Sequence, residues 1–268
     1  MKHLLVGLVF IVLGVPGALA GDSTGQLAVV SAASYTSPVA PDSVVSIFGA
    51  NLAAATAVAP DPPPHPLPTS LGGVSAVVTD NAGTQAPLLL AAVSASQVNA
   101  VVPAGLRPGP ATLTLTTAGG PTLTGHFTLA TVAPALFTAN QSGAGVAAAQ
   151  VFHVHANGST TIDAAIAQCP GGAGSCVPVP IDLGPPTDQV YLILYATGIR
   201  HRTPSLADVS VAVGGATLPP LYAGSQMFYF GLDQINVQLP QSLAGAGEIP
   251  VNVTVDGATA NTVTISIQ

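Results

Sequence analysis

Apolar residues recur at every second position in one stretch of this chain after another: Val209, Val211 and Val213; Val251, Val253 and Val255; Val263, Ile265 and Ile267. Ser, Thr, Asn or Ala stands between them. A period of two buries one face of a strand and leaves the other free, whereas a helix needs apolar residues three and four apart. After the N-terminal segment no helix-period run of ten or more residues occurs, so the pattern specifies sheets. Asp80-Asn81-Ala82-Gly83, Ala118-Gly119-Gly120, Gly214-Gly215 and Asp256-Gly257 separate the strands, the last being a two-residue hairpin signal. Short alternating strands between such turns imply a β-sandwich.

The pattern is used twice. Gln97-Val98-Asn99-Ala100-Val101-Val102-Pro103 is echoed by Gln234-Ile235-Asn236-Val237-Gln238-Leu239-Pro240. Each is followed by a Gly-containing turn and an alternating run, Ala111 to Thr116 in one case and Val251 to Val255 in the other. Upstream, Val74-Ser75-Ala76-Val77-Val78 matches Val209-Ser210-Val211-Ala212-Val213, and Ser46-Ile47-Phe48-Gly49 resembles Ile193-Leu194-Tyr195-Ala196. A unit this long is a domain rather than a solenoid repeat. The reading is all-β: two tandem immunoglobulin-like sandwich domains, residues 27–130 and 131–268, the second carrying an insertion with two cysteines. Val190 to Tyr195, apolar at every position, is expected as a central strand covered on both sides where the domains meet.

The first 20 residues read as a cleaved signal peptide. Lys2 and His3 form a short basic start, Leu4 to Val15 is apolar, and Ala18-Leu19-Ala20 supplies a small-x-small cleavage site. Pro16 and Gly17 shorten the apolar run below the about 20 residues a membrane span needs. The expected product is secreted or held at the cell surface, with no membrane span. Of four basic residues, Lys2 leaves with the signal, so Arg107, Arg200 and Arg202 face 11 acids. A nucleic-acid partner is excluded by that scarcity of cations, and lysine-based covalent catalysis by the absence of lysine.

Ala55 to Ser70 contains Pro60, Pro62, Pro63, Pro64, Pro66 and Pro68 and is expected to run extended over the surface, outside any ladder. Cys169 and Cys176 bracket Pro170 to Ser175. In an exported chain their default is a local disulfide, worth about 2.5 kcal/mol in the chain-entropy model. His153 and His155, two apart, project from one face of a strand and are the only candidates for a metal site. A third ligand would have to come from His126, His201 or Asp163, none at motif spacing, so no metal and no cofactor is assigned.

No catalytic constellation stands out: the sequence has no His-Glu-x-x-His and no phosphate loop. A carboxylate pair drawn from Asp188, Asp208 or Asp233 is no better defined than in any chain with 11 acids. Gln97 with Asn99 and Gln234 with Asn236 are alternate residues on one face; their recurrence points to polar groups satisfied across a loop.

Several strings resemble one family. Val39 to Gly49, Pro66 to Val74, Tyr191 to Arg200 and Gly231 to Pro240 are similar to the hallmark segments of the Solibacter-type uncharacterised C-terminal domain family. The resemblance implies tandem immunoglobulin-like units of the TIG/IPT sort on exported bacterial proteins, and it brings no catalytic or binding residues. Ala196 stands where that family has Gly.

Two functional classes remain open. The first is a non-enzymatic exported module for binding, spacing or assembly, with a protein or glycan partner. The uncharged C-terminal strand Thr262 to Gln268 would offer self-association if it lies at an edge. The second is a carbohydrate-binding or carbohydrate-active protein. Tyr222, Phe228 and Tyr229 are its candidate ligand-binding aromatics, clustered in a stretch, Leu221 to Gly231, that the first repeat lacks.

Overall fold

Alternation becomes structure strand by strand. In the computed structural model, which describes residues 26–60, 66–120, 122–163 and 166–268, Val74–Thr79 and Ala149–Val154 both alternate buried and half-buried positions. The signal-peptide reading of residues 1–20 and the prolines at 62, 63 and 64 lie outside the described residues.

The first ten strands are β1 (Ala28–Ser31), β2 (Val44–Phe48), β3 (Ala57–Val58), β4 (Ser70–Leu71), β5 (Val74–Thr79), β6 (Gln85–Pro87), β7 (Leu89–Val93), β8 (Gln97–Val101), β9 (Gly109–Thr116) and β10 (Thr122–Leu129). They make two sheets, ordered β1-β2-β8-β7-β3 and β10-β9-β5-β4, with β6 beside β5. The remaining strands are β11 (Ala135–Leu136), β12 (Ala149–Val154), β13 (Thr160–Asp163), β14 (Ala167–Gln168), β15 (Val177–Pro178), β16 (Gln189–Thr197), β17 (Val209–Val213), β18 (Ala216–Leu218), β19 (Pro220–Ser225), β20 (Asp233–Leu239), β21 (Gly247–Val255), β22 (Ala258–Thr259) and β23 (Val263–Ile267). They form a β13-β12-β16-β20-β19 sheet with β11 also on β16, a β18-β17-β21 sheet with β22 and β23 also on β21, and a small β14-β15 ribbon. All named strand pairs are antiparallel, and no α-helix occurs among the described residues.

The sequence repeat is a topological repeat. β2 pairs with β8 and β5 with β9 in the first unit; their counterparts β16 and β20, and β17 and β21, pair in the second. Each unit closes over its own apolar core, Val45, Ile47, Val98 and Leu113 in one and Leu192, Leu194, Ile235 and Val253 in the other. Asp256 and Gly257 both take positive φ (48° and 81°) in the turn from β21 to β22, the backbone that a two-residue hairpin with matching twist requires.

A third apolar cluster joins the units. Ala33, Val44 and Val101 from the first pack with Phe137, Tyr195 and Leu232 from the second. The Val44 N–H donates to Thr197 Oγ1 (2.8 Å), whose hydroxyl donates to the Gly231 carbonyl (2.8 Å). His201 Nε2 meets Asp42 Oδ2 at 2.8 Å, and the Tyr35 hydroxyl donates to the Gln141 carbonyl (2.9 Å). Burial pushes the Tyr35 hydroxyl pKa up to about 12. Gly231, at φ +74°, lies so close that a Cβ would stand 2.7 Å from Val44 Cγ2.

Three expectations need correction. The ends of the proline-rich stretch do join ladders: Ala57–Val58 pairs with β7 and Ser70–Leu71 with β5, because their N–H groups lie outside the prolines. The central strand β16 is covered on both faces only toward its C-terminal end, where Tyr195 enters the inter-unit cluster; Tyr191 stays half-buried. The C-terminal strand is not a free edge. Thr264 N–H donates to the Gly145 carbonyl and Thr264 O accepts from Ala147, while Ile181 N–H donates to Ser266 O and Gln268 N–H to Ile181 O. Those bonds use the outer side of β23, so self-association through it loses its basis.

Candidate functional site

Cys169 and Cys176 are bridged, both half-buried, and the bridge closes the turn Ala173–Ser175 between β14 and β15. The staple sits on a small ribbon of the second unit, of which only Ala167 packs against a core.

The described histidines are hydrogen-bonded, three of them to carboxylates. His153 and His155 share a face, their rings stacked with centroids 6.1 Å apart. His153, buried, holds Asp163 Oδ2 at 2.9 Å; His155 holds Asp188 Oδ2 at 2.7 Å and Thr161 Oγ1 at 3.1 Å. The His155 contact, with the Ala156 N–H, holds the Asp188 carboxyl below its ordinary range. His126 bonds Thr112 and His201 bonds Asp42. Among the described residues no three His, Cys, Asp or Glu side chains are grouped to hold a metal ion.

The acids are likewise engaged one by one. Asp233, fully buried at the start of β20, accepts from Ile199 N–H (2.9 Å) and Arg200 Nε (2.8 Å). Burial outweighs the guanidinium and raises its pKa to about 6. Asp208 accepts from Thr203, and Asp80 from the backbone N–H groups of Arg107, Thr84 and Ala82, which hold its carboxyl below the ordinary range.

Of the three aromatic candidates, two reach solvent. Phe228 is 65% exposed and Tyr222 37%, whereas Tyr229 packs against the inter-unit cluster. The stretch between β19 and β20 is braced by its own polar groups: Gln226 N–H donates to Leu232 O, Met227 N–H to Ser225 Oγ, and Phe228 and Tyr229 N–H to Gln226 Oε1. The Tyr222 hydroxyl donates to the Ser225 carbonyl. Met227, 81% exposed, leads this loop, and composition gives no sign of it.

Tyr222 also belongs to a larger surface that sequence reasoning missed. Even-numbered β20 residues Gln234, Asn236 and Gln238 point away from the core, as do Tyr191, Ile193 and Tyr195 of β16 and Gln150 and Phe152 of β12. Register lines these up in rows across the strands. One row runs Ile162, Phe152, Tyr191, Gln238; the next runs Gln150, Ile193, Asn236, Tyr222. Phe152 and Tyr191 are neighbours at 6.4 Å with rings tilted by 39°. The amides are tied in place: Gln150 Oε1 accepts from Tyr195 OH (2.7 Å), Gln189 Oε1 from Tyr191 OH (2.7 Å) and Asn236 Oδ1 from Gln234 Nε2 (2.8 Å). The rows carry no charged side chain. The available signal was the polar or aromatic residue between each pair of core positions, which the period of two assigns to the outside.

No family model matches the chain. No curated protein matches it either. Among solved structures, one similar chain is the Bacteroides ovatus mixed-linkage glucan utilization locus SGBP-B in complex with mixed-linkage heptasaccharide, at 10% identity and a TM-score of 0.33. The match covers 86% of this chain and 43% of that one, so this chain spans less than half of its length. A likeness that loose says nothing of function.

Proposed function

We propose that this protein is an exported, non-enzymatic binding module whose ligand docks on the outer face of the β12–β16–β20 sheet in the second unit. The observation that carries the reading is the pair of rows on that face, which bring the accessible rings of Phe152, Tyr191 and Tyr222 together with the amides of Gln150, Asn236 and Gln238. A surface of this kind combines stacking area with oriented hydrogen-bonding groups, which is how binding sites obtain both affinity and orientation. The buried junction with the first unit supports a spacing role, since it fixes where the face points.

Export is supported by the leader-like residues 1–20 and by the disulfide, a bond that persists in oxidising compartments. No helix among the described residues is long and apolar enough to cross a membrane. The separate engagement of Asp188, Asp208 and Asp233 supports a structural use of these carboxylates over a paired catalytic one.

The test screens the purified protein on a glycan array and measures self-association by sedimentation velocity, each repeated with the Phe152→Ala/Tyr191→Ala double variant. The wild type should bind an arrayed glycan or self-associate, and the double variant should do neither. Turnover of an arrayed substrate, or binding that survives the double change, contradicts the reading.

A further inference from the structure

The outer face of the second unit's sheet is electrically neutral in a chain with a net charge of −7. Arg202 and Arg200 are turned to other work: Arg202 donates to the carbonyls of Ala223, Thr203 and Ser205, and Arg200 to Asp233 and the Leu232 carbonyl. An anionic ligand would meet no unengaged guanidinium there and would be repelled by the protein as a whole. A cationic ligand would find no carboxylate on the rows. The charge pattern therefore selects an uncharged ligand.

The spacing narrows it further. Ile162, Phe152, Tyr191 and Gln238 lie on four adjacent strands, so the row is roughly 14 Å long at one strand spacing per step. Gln238 stands beside Tyr191 across the strands, and Gln150 precedes Phe152 along β12, so each of the two rings has an amide neighbour. A protein interface core is more apolar than a face on which Gln150, Gln189, Asn236 and Gln238 surround the rings. A sugar ring has an apolar C–H face and a rim of hydroxyl groups, and it matches aromatic faces flanked by amides. The amide oxygens of Gln150, Gln189 and Asn236 each accept a bond within the protein, which fixes the group and leaves donor capacity for a ligand hydroxyl. The loop carrying the exposed Met227 and Phe228 leaves β19 three residues after Tyr222.

We infer that the ligand is an uncharged oligosaccharide or polysaccharide chain lying across the strands of this face, along the Ile162–Phe152–Tyr191–Gln238 row. The inference rests on the binding reading above and names its ligand class.

Native affinity electrophoresis through gels containing soluble neutral polysaccharides (a mixed-linkage glucan, a xylan and a galactomannan) and anionic ones (polygalacturonate and alginate) tests it. At least one neutral polymer should retard the wild-type protein, with little change from low to high salt. Phe152→Ala and Tyr191→Ala should each weaken that retardation roughly ten-fold, and Ile162→Ala, at an exposed edge position that carries little folding risk, several-fold. Retardation confined to anionic gels, retardation by none, or equal retardation of all variants overturns the inference. Sedimentation velocity separates the two levels. If no glycan binds but Tyr191→Ala abolishes self-association, the face binds and only the ligand class is wrong; if neither changes, the binding reading falls as well.

Discussion

The same pair of strands does different work in the two units. On the outer face of β2 and β8, Val44 stands opposite Val101, Ser46 opposite Asn99 and Phe48 opposite Gln97. All six are buried, and Ser46, Gln97 and Asn99 hydrogen-bond one another: Ser46 Oγ donates to Asn99 Oδ1 (3.0 Å) and Gln97 Nε2 donates to the same oxygen (2.8 Å). At the matching places on β16 and β20, Tyr191 stands opposite Gln238, Ile193 opposite Asn236 and Tyr195 opposite Gln234. Of these only Tyr195 is buried, and burial pushes its hydroxyl pKa up to about 12. Gln and Asn occupy corresponding positions in both copies, yet one pair closes a buried network and the other lies on an open face. The duplication kept the strand pairing and let the outer face diverge: Val44, Ser46 and Val101 are covered, and Tyr191, Ile193 and Gln238 take their places on the open face.

The covered face depends most heavily on Gly231, which seats the loop before β20 against Val44 of the other copy. Gly231→Val puts a side chain at positive φ and into that contact, and should cost more than about 3 kcal/mol. Differential scanning calorimetry should show the single transition of a coupled pair giving way to two. An unchanged single transition would mean that the junction does not couple the units.

Asp233 marks a second difference between the copies, since Ser96 occupies the corresponding place before the first copy's Gln97. Its carboxyl titrates near 6 in the folded chain against about 3.9 unfolded, so its contribution is fully present below pH 4 and is lost as pH rises through 6. Relative to Asp233→Asn, the wild type should lose up to about 3 kcal/mol between those limits. Urea unfolding of both proteins at pH 4 and pH 7 reads the difference, and a pH-independent gap would contradict the assigned cause.

Thr197→Val removes the hydroxyl that bridges Val44 N–H and Gly231 O, leaving a buried donor and acceptor without each other, at a cost of about 2 kcal/mol. The loss should appear in both units' unfolding if the bridge couples them, and in neither if water replaces it. The smallest effect belongs to the disulfide. Because Cys169 and Cys176 staple an outlying ribbon, Cys169→Ser/Cys176→Ser should cost less than the about 2.5 kcal/mol of loop closure and leave the first unit's amide-exchange protection unchanged.

Much of this was legible in the residues. Alternation in Val209–Val213 and Val251–Val255 specifies which side chains enter the core, and the Gln-x-Asn echo locates equivalent strands. The covered edge of β23 was not legible, because Gly145, Ala147 and Ile181 come from distant, irregular segments with no periodic signal. The open face was hidden for a related reason. Phe152 and Tyr191 are far apart in sequence, and only the β12–β16 register makes them neighbours. The aromatic loop was visible because Tyr222, Phe228 and Tyr229 are close in sequence, but Tyr229 turns inward, and local spacing cannot report on packing.

Hydrogen–deuterium exchange of the full protein with and without a saturating neutral oligosaccharide tests the divergence of the two faces most directly. Added protection is expected in β12, β16 and β20, around Phe152, Tyr191 and Asn236, with β2 and β8 around Ser46 and Asn99 unchanged. Protection centred on β2 and β8, or no ligand-dependent protection on either face, would contradict it.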